Sequence, residues 1–155
     1  MGEQVVKNSL GFALAAALLA TTADAGERVG DFALIDHQGA FQHLAWYDDQ
    51  SAVVILPLSD SASDAATLNT LKQQYATQGV EFFLLNPGLY TDRDRAQAEM
   101  ASLGLDLPVL MDDTQLVTEM LGLNRLDEAV LYDPSSFELV YRGPIEGIET
   151  SLQQL

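Results

Sequence analysis

Two short runs, Ala52–Leu58 (AVVILPL) and Val80–Leu85 (VEFFLL), are apolar at almost every position. A strand that turns a polar face to neither side must be covered on both. Between them, Ala65, Leu68, Leu71 and Tyr75 recur at helical spacing among Ser, Asp, Asn, Lys and Gln. This pattern predicts a helix over 60–78, with Ser59, Asp60 or Ser61 capping its start and Gly79 closing its end. Two buried strands joined by a helix run parallel through a right-handed crossover. Pro57 belongs at the exit of the first strand, because a proline in its middle would break the ladder. These two runs commit the chain to an α/β architecture.

The flanking segments complete it. Phe32–Ile35, the turn-like Asp36-His37-Gln38-Gly39 and Phe41–Leu44 read as an N-terminal hairpin. Trp46 and Tyr47 follow it and are expected to pack in the core or at its rim. Asn86-Pro87-Gly88 stops the second buried strand. A helix is predicted over Thr91–Leu103, capped by Thr91 or Asp92 and ended by Gly104. Leu107–Leu110 is extended. A further helix is expected over Asp112–Leu121, with Leu116, Val117, Met120 and Leu121 facing inward and Gly122 ending it. Ala129–Tyr132 and Phe137–Tyr141, joined by the turn Asp133–Ser136, form a closing hairpin. Ile148, Leu152 and Leu155 begin a last helical pattern that the end of the sequence interrupts, and one reading of it is a last helix cut short in a longer chain. The expected fold is a three-layer α/β/α sandwich with a mixed central sheet and helices on both faces.

Residues 1–25 read as a secretory address. Lys7 gives a weakly basic start, Leu10–Ala20 is an uninterrupted apolar run, and Ala23-Asp24-Ala25 is an A-x-A exit. The run is shorter than the ~20 apolar residues of a membrane span. A signal cleaved after Ala25 implies a periplasmic or secreted protein, no stable membrane insertion and one domain over 26–155. Removing Glu3, Lys7 and Asp24 takes the formal charge from −16 to about −15. A surface this negative repels nucleic-acid phosphates and anionic lipid, so neither is an expected partner. The chain contains no cysteine. Thiolate catalysis, cysteine-ligated zinc and disulfide bracing are therefore absent, and its stability rests on its core.

Four stretches resemble the redoxin group of the thioredoxin-like superfamily, which includes the alkyl hydroperoxide reductase/thiol-specific antioxidant peroxiredoxins. Val29–Asp36 with Gly39 is similar to that group's opening hairpin. Thr67–Leu71 with Tyr75 and Gly79-Val80 is similar to its first helix and following strand. Leu107–Asp112 and Tyr141–Glu146 are similar to its "fPvl.D" and "YrG.id" segments. The resemblance spans about residues 26–147. It implies a thioredoxin-like sandwich and peroxidase or thiol–disulfide oxidoreductase relatives.

The resemblance also implies where chemistry has been lost. Active relatives carry the reactive cysteine between the first buried strand and its helix; here Leu58 or Ser61 takes that place. Relatives face it with a cis-proline; here Asp127, followed by Glu128, occupies that stretch. A trans bond is expected at Asp127, because a cis bond without proline costs roughly 2.5–4 kcal/mol. The former active-site cleft would be lined by Leu58, Ser59, Asp60, Ser61, Asn86, Asp127 and Glu128.

No replacement chemistry stands out. A serine nucleophile needs an adjacent base, and both histidines, His37 and His43, lie on the N-terminal hairpin. They are six residues apart and would face each other across it. Asp48-Asp49, Asp92/Asp94 and Asp112-Asp113 lack calcium-loop spacing and read as loop or helix-cap carboxylates. No metal site and no cofactor is expected. The reading is a non-catalytic binding or scaffold module with an exported protein partner. The alternatives are a redoxin-like enzyme using another nucleophile, or the N-terminal domain of a longer redox protein.

Overall fold

The computed structural model describes residues 26–59, 62–89 and 92–155 (for Ala62 and Ser63, the backbone only). The predicted signal lies outside these residues, as do Asp60, Ser61, Tyr90 and Thr91. In chain order the elements are β1 (Glu27–Arg28), β2 (Ala33–Ile35), β3 (Phe41–His43), β4 (Ala52–Pro57), α1 (Ala62–Tyr75), β5 (Val80–Asn86), α2 (Arg93–Leu103), β6 (Val109–Met111), α3 (Leu116–Met120), β7 (Glu128–Asp133), β8 (Glu138–Pro144) and α4 (Ile148–Leu152). Short 3₁₀ turns follow β3, α1 and β8.

The central sheet has the order β1-β8-β7-β4-β5-β6. As the two apolar runs require, β4 and β5 are parallel, Val54 opposite Phe82 and Leu56 opposite Leu84. β6 continues the parallel set, whereas β7 joins β4 antiparallel and the β7–β8 hairpin closes the sheet. The period of two divides each central strand between two cores. Val54, Leu56, Phe82 and Leu84 meet Leu68, Leu71 and Tyr75 of α1, Ala96 and Met100 of α2, and Ile148 and Leu152 of α4. Val53, Ile55, Phe83 and Leu85 meet Val117 of α3, Leu121, and Leu44 beyond the hairpin. Covered on both sides, β4 is buried throughout.

Local chemistry accounts for the helix ends. Gly79 and Gly104 take left-handed φ values of 78° and 65° just past α1's trailing turn and α2. A Cβ is unfavourable in that conformation, which is why glycine stands there. Asp92 caps α2, its side chain accepting from the Asp94 amide.

Several expectations need correction. β1 is a two-residue strand without sequence signal, paired to β8 through Glu27↔Leu139. The predicted N-terminal hairpin, β2–β3, is present and forms a two-stranded sheet of its own beside the central one. α3 begins at Leu116, not Asp112, and Leu116 is 65% exposed. The buried Asp112 carboxylate instead accepts from the Val117 and Thr118 amides and the Thr118 hydroxyl, so it holds the helix start from outside the helix. Trp46 is 60% exposed, edge-on to Phe41 and His43, while Tyr47 packs edge-on against Phe83. The two histidines do not meet: His37 bonds Val109, and His43 bonds Asp31. Leu155 is exposed beyond α4.

Candidate functional site

Open α/β sheets leave a crevice beyond the carboxyl ends of their parallel strands. Here β4 ends at Pro57 and β5 runs into Pro87. Between these prolines, Gln115 and Thr118 of the α3 turn, and the segment Leu123–Leu126 entering β7, lies a cleft of about 200 Å³. Gln115 holds a left-handed backbone at φ 60°, which carries the chain from the Asp112 turn into α3. Leu123 is buried and anchors the far wall, while Leu126 is exposed at its rim.

Of the residues expected to line the site, none that the structure describes is in the wall of this cleft. Asn86, Asp127 and Glu128 adjoin its lining residues in the chain, and Leu58 and Ser59 border a separate small opening. Leu58 is buried in the core, its amide bonded to the Leu85 carbonyl at 2.7 Å, so it extends the β4–β5 pairing instead of facing solvent. Ser59 is half-buried beside it. Asp60 and Ser61 lie outside the described residues. Asn86 is fully buried at the end of β5; its carbonyl accepts from the Asp112 amide at 3.0 Å, and its side chain donates to Met111 Sδ. Asp127 and Glu128 stand at the entrance to β7. The Glu128 carboxylate accepts from the Asn124 amide, which fixes the loop that forms the cleft wall.

Asp127 is engaged by its neighbour. Arg125 Nε donates to Asp127 Oδ1 at 2.8 Å and Nη2 to Oδ2 at 2.5 Å, a two-pronged pair on the surface. The hydrogen bonds from Arg125 hold the Asp127 carboxyl below its usual range, and the same pair raises the Arg125 guanidinium. The cleft's cation is thus already matched by a carboxylate two residues away. Neither histidine lines the cleft, so it contains no imidazole to act as a base. Among the described residues no group of three or more His, Asp or Glu side chains is placed to hold a metal ion.

Sequence reasoning found Asn86-Pro87-Gly88 and the Arg125–Glu128 stretch but missed Gln115, Thr118 and Leu123. Nothing in their spacing announces a cleft wall, because a left-handed Gln leaves no pattern in the sequence.

No family model and no curated protein matches the sequence. Solved structures do. A hypothetical protein from Sinorhizobium meliloti is 28% identical, over 76% of this chain and 69% of that one, with a TM-score of 0.66. A putative thiol:disulfide interchange protein, DsbE, from Chlorobium tepidum is 15% identical over 86% and 98%, with a TM-score of 0.69. The peroxidoxin BcpB from Mycobacterium tuberculosis is 16% identical over 83% and 93%, with a TM-score of 0.66.

The fold is thioredoxin-like.

On this thioredoxin-like frame no cysteine stands at any position. The point between β4 and α1 that the family resemblance assigns to the nucleophile begins with the buried Leu58. The stretch it assigns to cis-proline is the Arg125–Asp127 pair, and among the described residues every peptide bond is trans. What remains is the cleft between strand ends and loop, without a thiol to use it.

Proposed function

We propose that this chain is a non-catalytic thioredoxin-like domain, exported to the periplasm or beyond, that binds a protein partner through the cleft bounded by Pro57, Pro87 and Leu123–Leu126. The carrying observation is an open cleft at the strand ends of a frame that has neither thiol nor unpaired cation at that place. Such a cleft presents shape and apolar rim to a partner, through Leu126 and the two prolines, rather than a reacting group. Export is supported by the leader-like residues 1–25. Consistent with it, no helix among the described residues is long and apolar enough to cross a membrane.

Two measurements test this. The purified 26–155 chain, supplied with hydroperoxide or a disulfide substrate and a thiol reductant, is expected to give only the background rate. Turnover that is abolished by Ser59→Ala or Ser61→Ala overturns the non-catalytic reading. A photo-crosslinking residue at position 126 is expected to form a discrete adduct in the exported fraction that the same residue at exposed Val140 does not. Equal adducts at both positions overturn the cleft as the docking place.

A further inference from the structure

A second opening lies away from this cleft and shares no lining residue with it. β2 and β3 pair as Ala33↔His43, Leu34↔Gln42 and Ile35↔Phe41. The bonds Leu44 amide to Phe32 carbonyl and Asp36 amide to Ala40 carbonyl flank this ladder. By the alternation of an antiparallel pair, Ala33 and Ile35 are therefore non-hydrogen-bonded positions, and their backbone groups point away from β3. They point toward β6, which is tied to the hairpin at the Asp36↔Leu110 bridge and the His37–Val109 contact. Upstream of that bridge no further pairing joins the two strands among the described residues. On that side Ala33 has no ladder partner among the described residues, because β2 pairs only with β3.

The fork encloses a groove of about 540 Å³, with apolar walls of Ala33, Leu34, Ile35, Phe41 and Met111. Ile35 and Phe41 are each about half exposed. Two charged side chains also line it, Arg93 and Asp113. The Arg93 guanidinium lies against the hairpin turn: a Cβ on Gly39 would come within 2.7 Å of its Nη1. Of the chain's 7 Lys and Arg residues, Arg125 and Arg142 are held in ion pairs, whereas Arg93 makes none among the described residues. The groove therefore carries one cation and one carboxylate on otherwise apolar walls.

We propose that this fork binds the end of an extended apolar peptide that terminates in a free carboxylate. The peptide backbone adds to the open edge of β2 at Ala33, its apolar side chain lies over Ile35, Phe41 and Met111, and its carboxylate meets Arg93. Strand addition uses the open edge at Ala33, which a small apolar acid would leave unpaired. Asp113 on the groove wall repels a second negative group, so singly charged ends are favoured over acidic ones.

Trp46 is the chain's single tryptophan and sits edge-on to Phe41 at 5.4 Å, which makes it a reporter for the groove. The test is a titration with acetyl-Thr-Val-Val-Leu as free acid and as C-terminal amide, followed by Trp46 emission and by the Ala33 and Ile35 amide resonances. The free acid is expected to shift both resonances and to bind at least about tenfold more tightly than the amide, the weight of one charge-assisted hydrogen bond. Arg93→Gln, at an exposed position, is expected to bring the acid down to the level of the amide. Methylating the peptide nitrogen that pairs with Ala33 is expected to weaken binding as well. Equal binding of acid and amide, no effect of Arg93→Gln, hexanoate binding as tightly as the peptide, or shifts confined to the Pro57–Pro87 cleft would each overturn the proposal.

Discussion

His37 and Val109 hold each other by two hydrogen bonds, the His37 amide donating to the Val109 carbonyl at 2.8 Å and the Val109 amide donating to His37 Nδ1 at 3.1 Å. Val109 belongs to β6, the last strand of the central sheet, and its outer edge would otherwise be open. An open edge invites pairing with another chain, and covering it with a loop is one way proteins prevent that. The hairpin turn does so here with a side chain that imitates a backbone acceptor.

His37→Ala is therefore expected to leave the buried Val109 amide without an acceptor, at a cost of about 1–3 kcal/mol. His37→Asn, whose side-chain oxygen can take the place of Nδ1, is expected to recover most of it. Urea unfolding of the three proteins measures this. If alanine and asparagine were equally destabilising, the loss would come from packing and not from the acceptor.

Asp112 was expected at the start of a helix, as a capping carboxylate; the helix begins only at Leu116, and Asp112 caps it from outside. Its buried carboxylate serves the amides of Val117 and Thr118, two of the donors that a helix start leaves unpaired. α3 is one short turn and a half, too short to persist without such support. Asp112→Ala is expected to cost about 1–2 kcal/mol and to speed hydrogen exchange at Thr118 before exchange in β4 changes. Exchange that accelerates equally across the whole sheet would show that Asp112 acts on global stability alone.

The fold was legible wherever burial leaves a period in the sequence. AVVILPL and VEFFLL had to be strands covered on both faces, and β4 and β5 are. The Asp133–Ser136 turn and the left-handed Gly79 and Gly104 were legible for a similar reason, since each needs a particular residue chemistry. What escaped was set by geometry without composition. β1 is held by backbone pairing to β8 and by the Glu27–Arg142 ion pair, neither of which leaves a pattern over two residues. Leu116 matched the inward helical phase, but the helix starts later and the phase turns it to solvent. Leu58, expected to line an open cleft, continues the β4–β5 ladder into the core. The candidate cleft was half legible, its loops visible as Asn86-Pro87-Gly88 and Arg125–Glu128, its opposite wall invisible until Gln115 adopted a left-handed backbone.

Tyr132 fixes the amino-terminal segment to the sheet. Its ring is buried, and its hydroxyl donates to the Gly30 carbonyl at 2.8 Å. Burial, with the nearby Asp31 and Asp133, raises the phenol well above its ordinary value. Above about pH 10 the unfolded chain loses this proton while the folded chain keeps it, so stability contributed below that pH falls as pH rises. Burial also raises Tyr47 and Tyr141, but of the 5 tyrosines Tyr132 is expected to resist ionisation at 295 nm until the protein unfolds. Tyr132→Phe should remove that resistant component and cost about 1 kcal/mol at neutral pH. A titration in which all five ionise before unfolding contradicts it.

Asp133 makes the corresponding prediction on the acid side. It opens the turn between β7 and β8, where its carboxylate accepts from the amide and hydroxyl of Ser135, at 2.8 and 2.7 Å, and from those of Ser136, at 3.4 and 2.9 Å. Its carbonyl also accepts from the Phe137 amide, where the backbone turns left-handed at φ 61°. Burial pushes this carboxyl upward, but the hydrogen bonds from the two serines outweigh it and hold the group below the usual carboxylate range. On acidification the unfolded chain therefore takes up the proton first. The stabilisation is complete at neutral pH and disappears as pH falls below about 4. Asp133→Asn is expected to be less stable than the parent by about 1–2 kcal/mol at pH 7, with the gap narrowing as pH falls below about 4 and the parent carboxylate takes up its proton. Thermal unfolding of both proteins across that range decides it, since a gap that persists unchanged at low pH would mean the ionised state contributes nothing.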